Sequence, residues 1–178
     1  MASAHTTIKV NRAPVLTLWA AVVAERLGFE RAEALTLGRA VAGLNAHTKG
    51  VALGIFQPAP KEITERRGRM QPGETLHVEL LRRSVPVARM PEGLRALSKD
   101  RPIAPASVER YLAGKFGDAL DDVRAAMTGL AGALPPEELA AHAFELYERF
   151  RPAVPRGEAG WGAAGVLDLG RIAALARR

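Results

Sequence analysis

Three side chains on one predicted helix have the types and the spacing of metal ligands. Glu138, His142 and Glu145 stand at positions i, i+4 and i+7, so they share one face of that helix. Such a set binds a metal in a helical bundle when a facing helix adds carboxylates, for which the candidates are Asp118, Asp121 and Asp122. A di-metal bundle site repeats its ligand unit on a second helix, and we find no such copy. We therefore interpret the three residues as a solvated stripe and predict no bound metal.

A second polar group closes another predicted helix. Asn45, His47 and Lys49 could bind an anion or take part in acid–base chemistry, because histidine titrates near neutrality. The same residue types also suit a helix C-terminus, and a helix cap is the interpretation that we favour. Together with Trp161, these residues are the candidate ligand-binding residues if the protein is a small enzyme or a ligand-binding protein.

A glycine-rich string near the end of the chain matches a nucleotide-binding pattern. Residues 160–165 read GWGAAG, which fits G-x-G-x-x-G. That motif cradles a pyrophosphate when it follows a strand and opens a helix, whereas here the preceding residues are PRGE. We therefore interpret the string as a loop that packs Trp161 onto the helices, and we predict no cofactor.

Basic residues are concentrated in the middle of the chain. Six arginines are the candidate nucleic-acid-binding residues of this region, namely Arg66, Arg67, Arg69, Arg82, Arg83 and Arg89. A pair at the tip of a predicted β-hairpin, Arg82 and Arg83, could reach phosphates. We expect no stacking aromatic residue close to these arginines, so a single-strand-binding platform is not supported. The alternative is that these arginines are ordinary solvated surface.

Residues 19–44 resemble the helix-turn-helix of DNA-binding repressors. Ala24, Gly28, Ala34 and Leu37 stand at positions that match the pattern of that family. The resemblance implies a second helix that reads DNA, with Arg31 and Arg39 among its contacts. The polar residues of this helix lie between apolar neighbours, however, and a buried helical hairpin is the alternative that we favour.

The two ends of the chain are similar to members of an uncharacterised bacterial protein family. The similarity rests on residues 9–14 (KVNRAP), on residues 160–162 (GWG) and on residues 167–169 (LDL). It implies a bacterial origin and no activity.

Composition excludes several classes of chemistry. The 178 residues include no cysteine, so disulfides, thiolate catalysis and Cys-ligated metals are excluded, and we expect a cytoplasmic protein. Residues 1–10 contain no apolar run, which argues against a signal peptide. The apolar stretch at residues 14–27 is interrupted by Glu25 and Arg26 and is too short to span a bilayer, so we expect no membrane association.

The pattern of apolar residues predicts the fold. Aromatic residues are only 5% of the chain, so the core must consist mostly of Leu, Val and Ala, which favours helices. The mostly apolar stretch at residues 14–27 predicts a buried helix, and the apolar residues Leu35, Leu37, Val41 and Leu44 predict a second helix at about 30–46. Leu76, Val78 and Leu80 alternate with polar residues, which predicts a strand, and residues 85–87 could pair with it across a tight turn at residues 82–84. Pro86 would then have to lie on a free edge.

We predict a mainly α fold, a compact helical domain with a small β-hairpin insert and α+β at most. Residues 1–178 form one domain in this interpretation, with a helical hairpin at 10–57, a basic segment carrying the β-hairpin at 58–104 and C-terminal helices at 105–178.

The functional hypothesis that we favour is that the chain is a non-enzymatic bacterial protein that binds nucleic acid, and that this nucleic acid is DNA. It follows from the net charge of +6, from the arginines and from the helix-turn-helix resemblance. The alternatives are a small enzyme or ligand-binding protein, and a homo-oligomeric interaction module whose acidic residues 105–150 contact a basic surface of a second copy.

Overall fold

A computed structural model describes residues 7–47, 75–153 and 164–177. The helices are α1 (Arg12–Arg26), α2 (Arg31–His47), α3 (Pro105–Phe116), α4 (Leu120–Gly132), α5 (Pro136–Phe150) and α6 (Leu169–Ala176). The strands are β1 (Thr7–Asn11), β2 (Thr75–Leu80), β3 (Arg83–Met90), β4 (Gly93–Ser98), β5 (Arg101–Pro102) and β6 (Ala164–Asp168). Within these ranges, no helix combines the length and the apolar character that a membrane span requires.

The strands form two antiparallel sheets. β1 pairs with β6, and a second sheet has the order β2-β3-β4-β5. Of the residues that the structure describes, 61% are helical and 25% lie in strands, so the architecture is α+β and our expectation of a mainly α protein with a small hairpin insert is wrong. β1 and β6 have five residues each, and alternation over so short a run gives little signal in a sequence.

The core is centred on α1. All residues of this helix from Pro14 to Ala24 are buried, because α2, α4 and α5 pack around it. A helix that is apolar on all sides is typical of such a position, and the predicted buried helix is confirmed. Gly28 follows it with φ 110°, in the left-handed region that glycine adopts without strain.

α2 lies between α1 and the four-stranded sheet. The face of the sheet that is directed towards α2 carries the buried residues Val78, Leu80, Val85, Val87, Leu94 and Ala96. On the other side of α2, Gly38 lies directly against the backbone of α1, where a Cβ would collide with the carbonyl oxygen of Thr17. The two helices therefore approach to backbone contact at this point.

Side chains of α2 also bond to the backbone of β4. The buried carboxylate of Glu33 accepts a hydrogen bond from the Leu94 N–H (3.0 Å) and another from the Glu30 N–H (3.0 Å). The buried hydroxyl of Thr36 accepts from the Ala96 N–H (3.0 Å). Two N–H groups of β4 thus find partners on a helix instead of a strand, which fixes the sheet on α2.

The predicted β-hairpin is confirmed as β2 and β3. Leu80 pairs with Arg83, so the turn consists of Leu81 and Arg82, one residue earlier than the sequence suggested. Both turn residues have positive φ, 47° and 62°, as the favoured two-residue hairpin turns require.

Pro86 lies inside β3, the strand between β2 and β4. It pairs with His77 of β2, but the ladder between β3 and β4 begins only at Val87. The side of Pro86 that faces β4 is therefore outside that ladder, which is how the strand accommodates a residue without an N–H group.

Aromatic residues join α5 to α1. The indole N–H of Trp19 donates to the carbonyl oxygen of Ala143 (2.9 Å), and its ring meets Phe150 edge-on at 5.2 Å. Tyr147 is completely buried, and its hydroxyl donates to the carbonyl oxygen of Arg12 (3.4 Å). A buried indole or phenol needs such a partner for its polar atom.

The buried Tyr147 predicts sensitivity to alkali. Burial raises the pKa of its phenol far above the value of about 10 that a phenol has in an unfolded chain. The folded state therefore holds this proton more tightly, so stability is unaffected below about pH 10 and is lost as the pH rises above it. We expect the free energy of unfolding, measured with urea at increasing alkaline pH, to fall less steeply in Tyr147→Phe than in the wild type. Equal slopes would contradict this assignment.

β1 and β6 join distant parts of the chain. Their register runs from Thr7 opposite Asp168 to Asn11 opposite Ala164. Asp168 then begins α6, where its carboxylate accepts a hydrogen bond from the Gly170 N–H (2.9 Å). Asp168 is thus the N-cap of this helix, a position that aspartate favours.

Candidate functional site

Residues that the sequence suggested in three separate sets meet at one place on the surface. The tip of the β2–β3 hairpin lies against α5 and against the C-terminal end of α2. We call this group the hairpin-tip cluster, and its members are Asn45, Arg82, Arg83, His142, Phe144 and Glu145.

Arg82 makes two contacts with α5. Its Nη2 atom donates to Oε1 of Glu145 at 3.1 Å, and its guanidinium lies over the ring of Phe144 at 5.3 Å from the centroid. The side chain of Arg82 is nevertheless 57% exposed, and that of Glu145 is 48% exposed. The pair is thus a solvated ion pair beside an aromatic ring, with room for a ligand to approach.

Arg83 is placed differently from its neighbour. It extends from the face of the sheet that covers α2, and its Nη2 atom donates to the side-chain oxygen of Asn45 at 2.7 Å. Partial burial lowers the pKa of Arg83, although a guanidinium stays protonated in proteins. A charge that has lost part of its hydration interacts more strongly with any anion that reaches it.

The turn that carries these arginines is strained. Leucine and arginine in the left-handed region each cost about 1–2 kcal/mol. The side chain of Leu81 is buried, with a relative exposure of 3%, so its packing holds the turn in place. Strained backbone of this kind persists where the surroundings determine it, and it is common at functional sites. Arg82 is therefore held in this turn, and Arg83 follows it at the start of β3.

The candidate metal ligands do not form a metal site. His142 Nδ1 lies 3.6 Å from Oε2 of Glu145, and Glu138 is exposed one turn away on α5. Within residues 7–47, 75–153 and 164–177, no three His, Asp or Glu side chains are grouped closely enough to hold a metal ion. The carboxylate of Glu145 contacts Arg82 instead.

The other candidate nucleic-acid-binding arginines within the described residues lie outside the hairpin-tip cluster. Arg89 lies in the same strand as Arg83 but six positions further along, roughly 20 Å away at about 3.3 Å per residue. Arg31 forms an ion pair with Glu109 (3.5 Å), and Arg39 lies over the ring of Tyr111 (4.5 Å).

These contacts bear on the helix-turn-helix resemblance. α2, the helix that would read DNA, is covered by the sheet on one side and by α1 on the other. Its residues from Glu33 to Gly38 are all buried. A recognition helix must present side chains to the major groove, so the geometry of α2 favours the buried hairpin over a DNA-reading helix.

Several predicted site residues lie outside the described part of the chain. These are Arg66, Arg67, Arg69, Lys49 and Trp161, together with the side chain of His47 at the end of α2.

Sequence reasoning missed one member of the cluster, Phe144. It is half-buried on α5, beside the apolar stripe of that helix, and its ring contacts Tyr147 at 5.8 Å. In the sequence, Phe144 stands next to the candidate metal ligand Glu145, and this was the one feature that could have drawn attention to it. Nothing in the local sequence connects Phe144 to Arg82. Our expectation that no aromatic lies close to the basic residues is wrong for Arg82.

An open cleft of about 420 Å³ lies between the end of α5 and α6. Its lining includes Glu148, Arg149 and Arg171, and the guanidinium of Arg171 donates to the carbonyl oxygen of Arg149 (3.3 Å). The cleft contains none of the residues that the sequence singled out.

Comparisons of the chain with protein-family models, with curated proteins and with solved structures found no match.

The chemistry that the hairpin-tip cluster can perform is recognition. It combines two guanidinium groups, an amide, an imidazole and an aromatic ring with one carboxylate. Guanidinium groups bind phosphates in a two-pronged geometry, and aromatic or guanidinium planes stack on bases. None of its six members offers a hydroxyl or thiol nucleophile. The cluster is therefore suited to binding an anion.

Proposed function

We propose that the protein binds DNA and that Arg82 and Arg83 contact its phosphates. The observation that carries this proposal is the placement of two adjacent arginines at the end of the hairpin, with Arg82 in the strained turn and 57% exposed and Arg83 half-buried at the start of β3. The net charge of +6 adds a general attraction for a polyanion.

The ion pair between Arg82 and Glu145 is compatible with this function. Exposed ion pairs contribute only about 0–1 kcal/mol, so a phosphate can take the place of the carboxylate at little cost. Glu145 then acts as an internal competitor of the phosphate. Removing its charge is expected to strengthen binding, which is the opposite of what removing Arg82 does.

The test is a fluorescence-anisotropy titration of the purified protein with labelled DNA at several salt concentrations. In the wild type we expect affinity to fall as salt rises, because phosphate contacts release counterions. The double variant Arg82→Ala/Arg83→Ala should bind more weakly, and the slope of log K against log salt should decrease by about 1–2. Glu145→Gln should bind more tightly than the wild type.

A matched control removes the same charge from another hairpin of the same sheet. Lys99 and Arg101 are both exposed; Lys99 lies in the turn between β4 and β5, with φ 52°, and Arg101 begins β5. The double variant Lys99→Ala/Arg101→Ala should retain most of the binding. An equal loss in both double variants would show attraction by net charge alone, and absence of binding at low salt would refute the proposal.

A further inference from the structure

We propose that the DNA bound by the hairpin-tip cluster is single-stranded, and that an unpaired base stacks on the guanidinium of Arg82, which is backed by Phe144. This inference rests on the proposed function and adds the class of ligand to it.

The first argument is the fixed orientation of the Arg82 side chain. The guanidinium carbon of Arg82 lies 5.3 Å from the centroid of the Phe144 ring, and the strained turn fixes the backbone of Arg82, so neither restraint is lost when a phosphate displaces Glu145. With 57% of the side chain exposed, a ligand can reach the guanidinium from solvent. A guanidinium that already lies beside an aromatic ring loses little freedom when a base stacks on it.

The second argument concerns what each form of DNA can offer to such a plane. In a duplex the bases are already paired and stacked, so an exposed guanidinium plane gains nothing from them. In a single strand every base has a free face, and stacking on aromatic or arginine planes is a common source of affinity without sequence preference.

The third argument is electrostatic. Glu145 is exposed and contacts Arg82, and Glu138 is exposed two turns away on the same helix, α5. Carboxylates at the rim disfavour a dense array of phosphates, and a duplex has a higher charge density than a single strand. The cluster therefore discriminates against the duplex while two arginines still bind one or two phosphates.

The experiment compares three labelled probes on the full-length protein. They are a single strand, an abasic strand of the same length and a duplex. We expect the single strand to bind about tenfold more tightly than the abasic strand, since one stacked base accounts for a change of that order. Phe144→Leu should remove this difference and leave abasic binding unchanged, while Phe144→Tyr, which keeps the ring, should preserve it.

The possible results separate this inference from the proposed function. If the single strand and the abasic strand bind equally and Arg82→Ala weakens both, the stacking inference is overturned and the phosphate contact remains. If the duplex binds most tightly, the single-strand inference is likewise overturned. If no probe binds at low salt, both proposals fail. Circular dichroism of each variant verifies that the fold is retained.

Discussion

Replacing Gly38 with alanine is expected to destabilise the protein by about 3 kcal/mol, the upper part of the usual range for overpacking. The added methyl group would collide with the carbonyl oxygen of Thr17 and lie 3.0 Å from the backbone nitrogen of Ala21. Both are backbone atoms of α1, which is buried on all sides and has no space into which it could move. Relief would require α1 and α2 to separate, and that would open gaps throughout the core.

Gly43 is a matched control for this substitution. It lies in the same helix, but a Cβ at this position would meet nothing within 4 Å. Because alanine favours helix by about 1 kcal/mol relative to glycine, Gly43→Ala should stabilise the protein slightly. Urea unfolding of both variants measures the two effects. Similar free energies of unfolding in Gly38→Ala and the wild type would show that the helices are further apart than described.

Replacing Glu33 with glutamine is expected to cost about 2–3 kcal/mol. The buried carboxylate accepts from the backbone N–H groups of Glu30 and Leu94, one through each oxygen. Glutamine has nearly the same shape but only one acceptor oxygen, so its amide NH₂ would face one of these N–H donors. One buried donor would lose its partner, which is the expensive outcome for a hydrogen bond.

Glu30→Gln makes the same change of charge at an exposed position of the same helix end. Its effect should stay within about 0.5 kcal/mol, as for most surface substitutions. The difference between the two variants in urea unfolding isolates the buried contact. If both lose stability equally, the effect comes from charge near the helix N-terminus and the bond to β4 contributes little.

Local patterns in the sequence were sufficient for the elements that depend on local physics. The apolar run of α1 and the alternation of β2 each predict what the structure contains. In every case the signal lies within one element and its flanking residues.

Tertiary contacts account for what the sequence could not predict. β4 has Leu94 and Ala96 facing the core, and it is fixed by Glu33 and Thr36 of a helix some sixty positions earlier. No property of the residues 93–98 alone specifies those partners.

The candidate site depends on distant contacts in the same way. Arg82 and Glu145 are 63 positions apart, and Arg83 and Asn45 are 38 positions apart. The sequence suggested each residue by its type, in separate hypotheses about phosphates, metals and helix caps. Only the docking of the hairpin on α5 unites them.

The pairing of β1 with β6 has a consequence for the newly made chain. On a ribosome, β1 leaves the exit tunnel well before β6, because the two strands are separated by all the other described elements. Until then the N-terminal strand has an unpaired edge, a surface that chaperones recognise and that invites association with other nascent chains. Closure of the small sheet is thus a late event in biogenesis, after the helical core has had time to form.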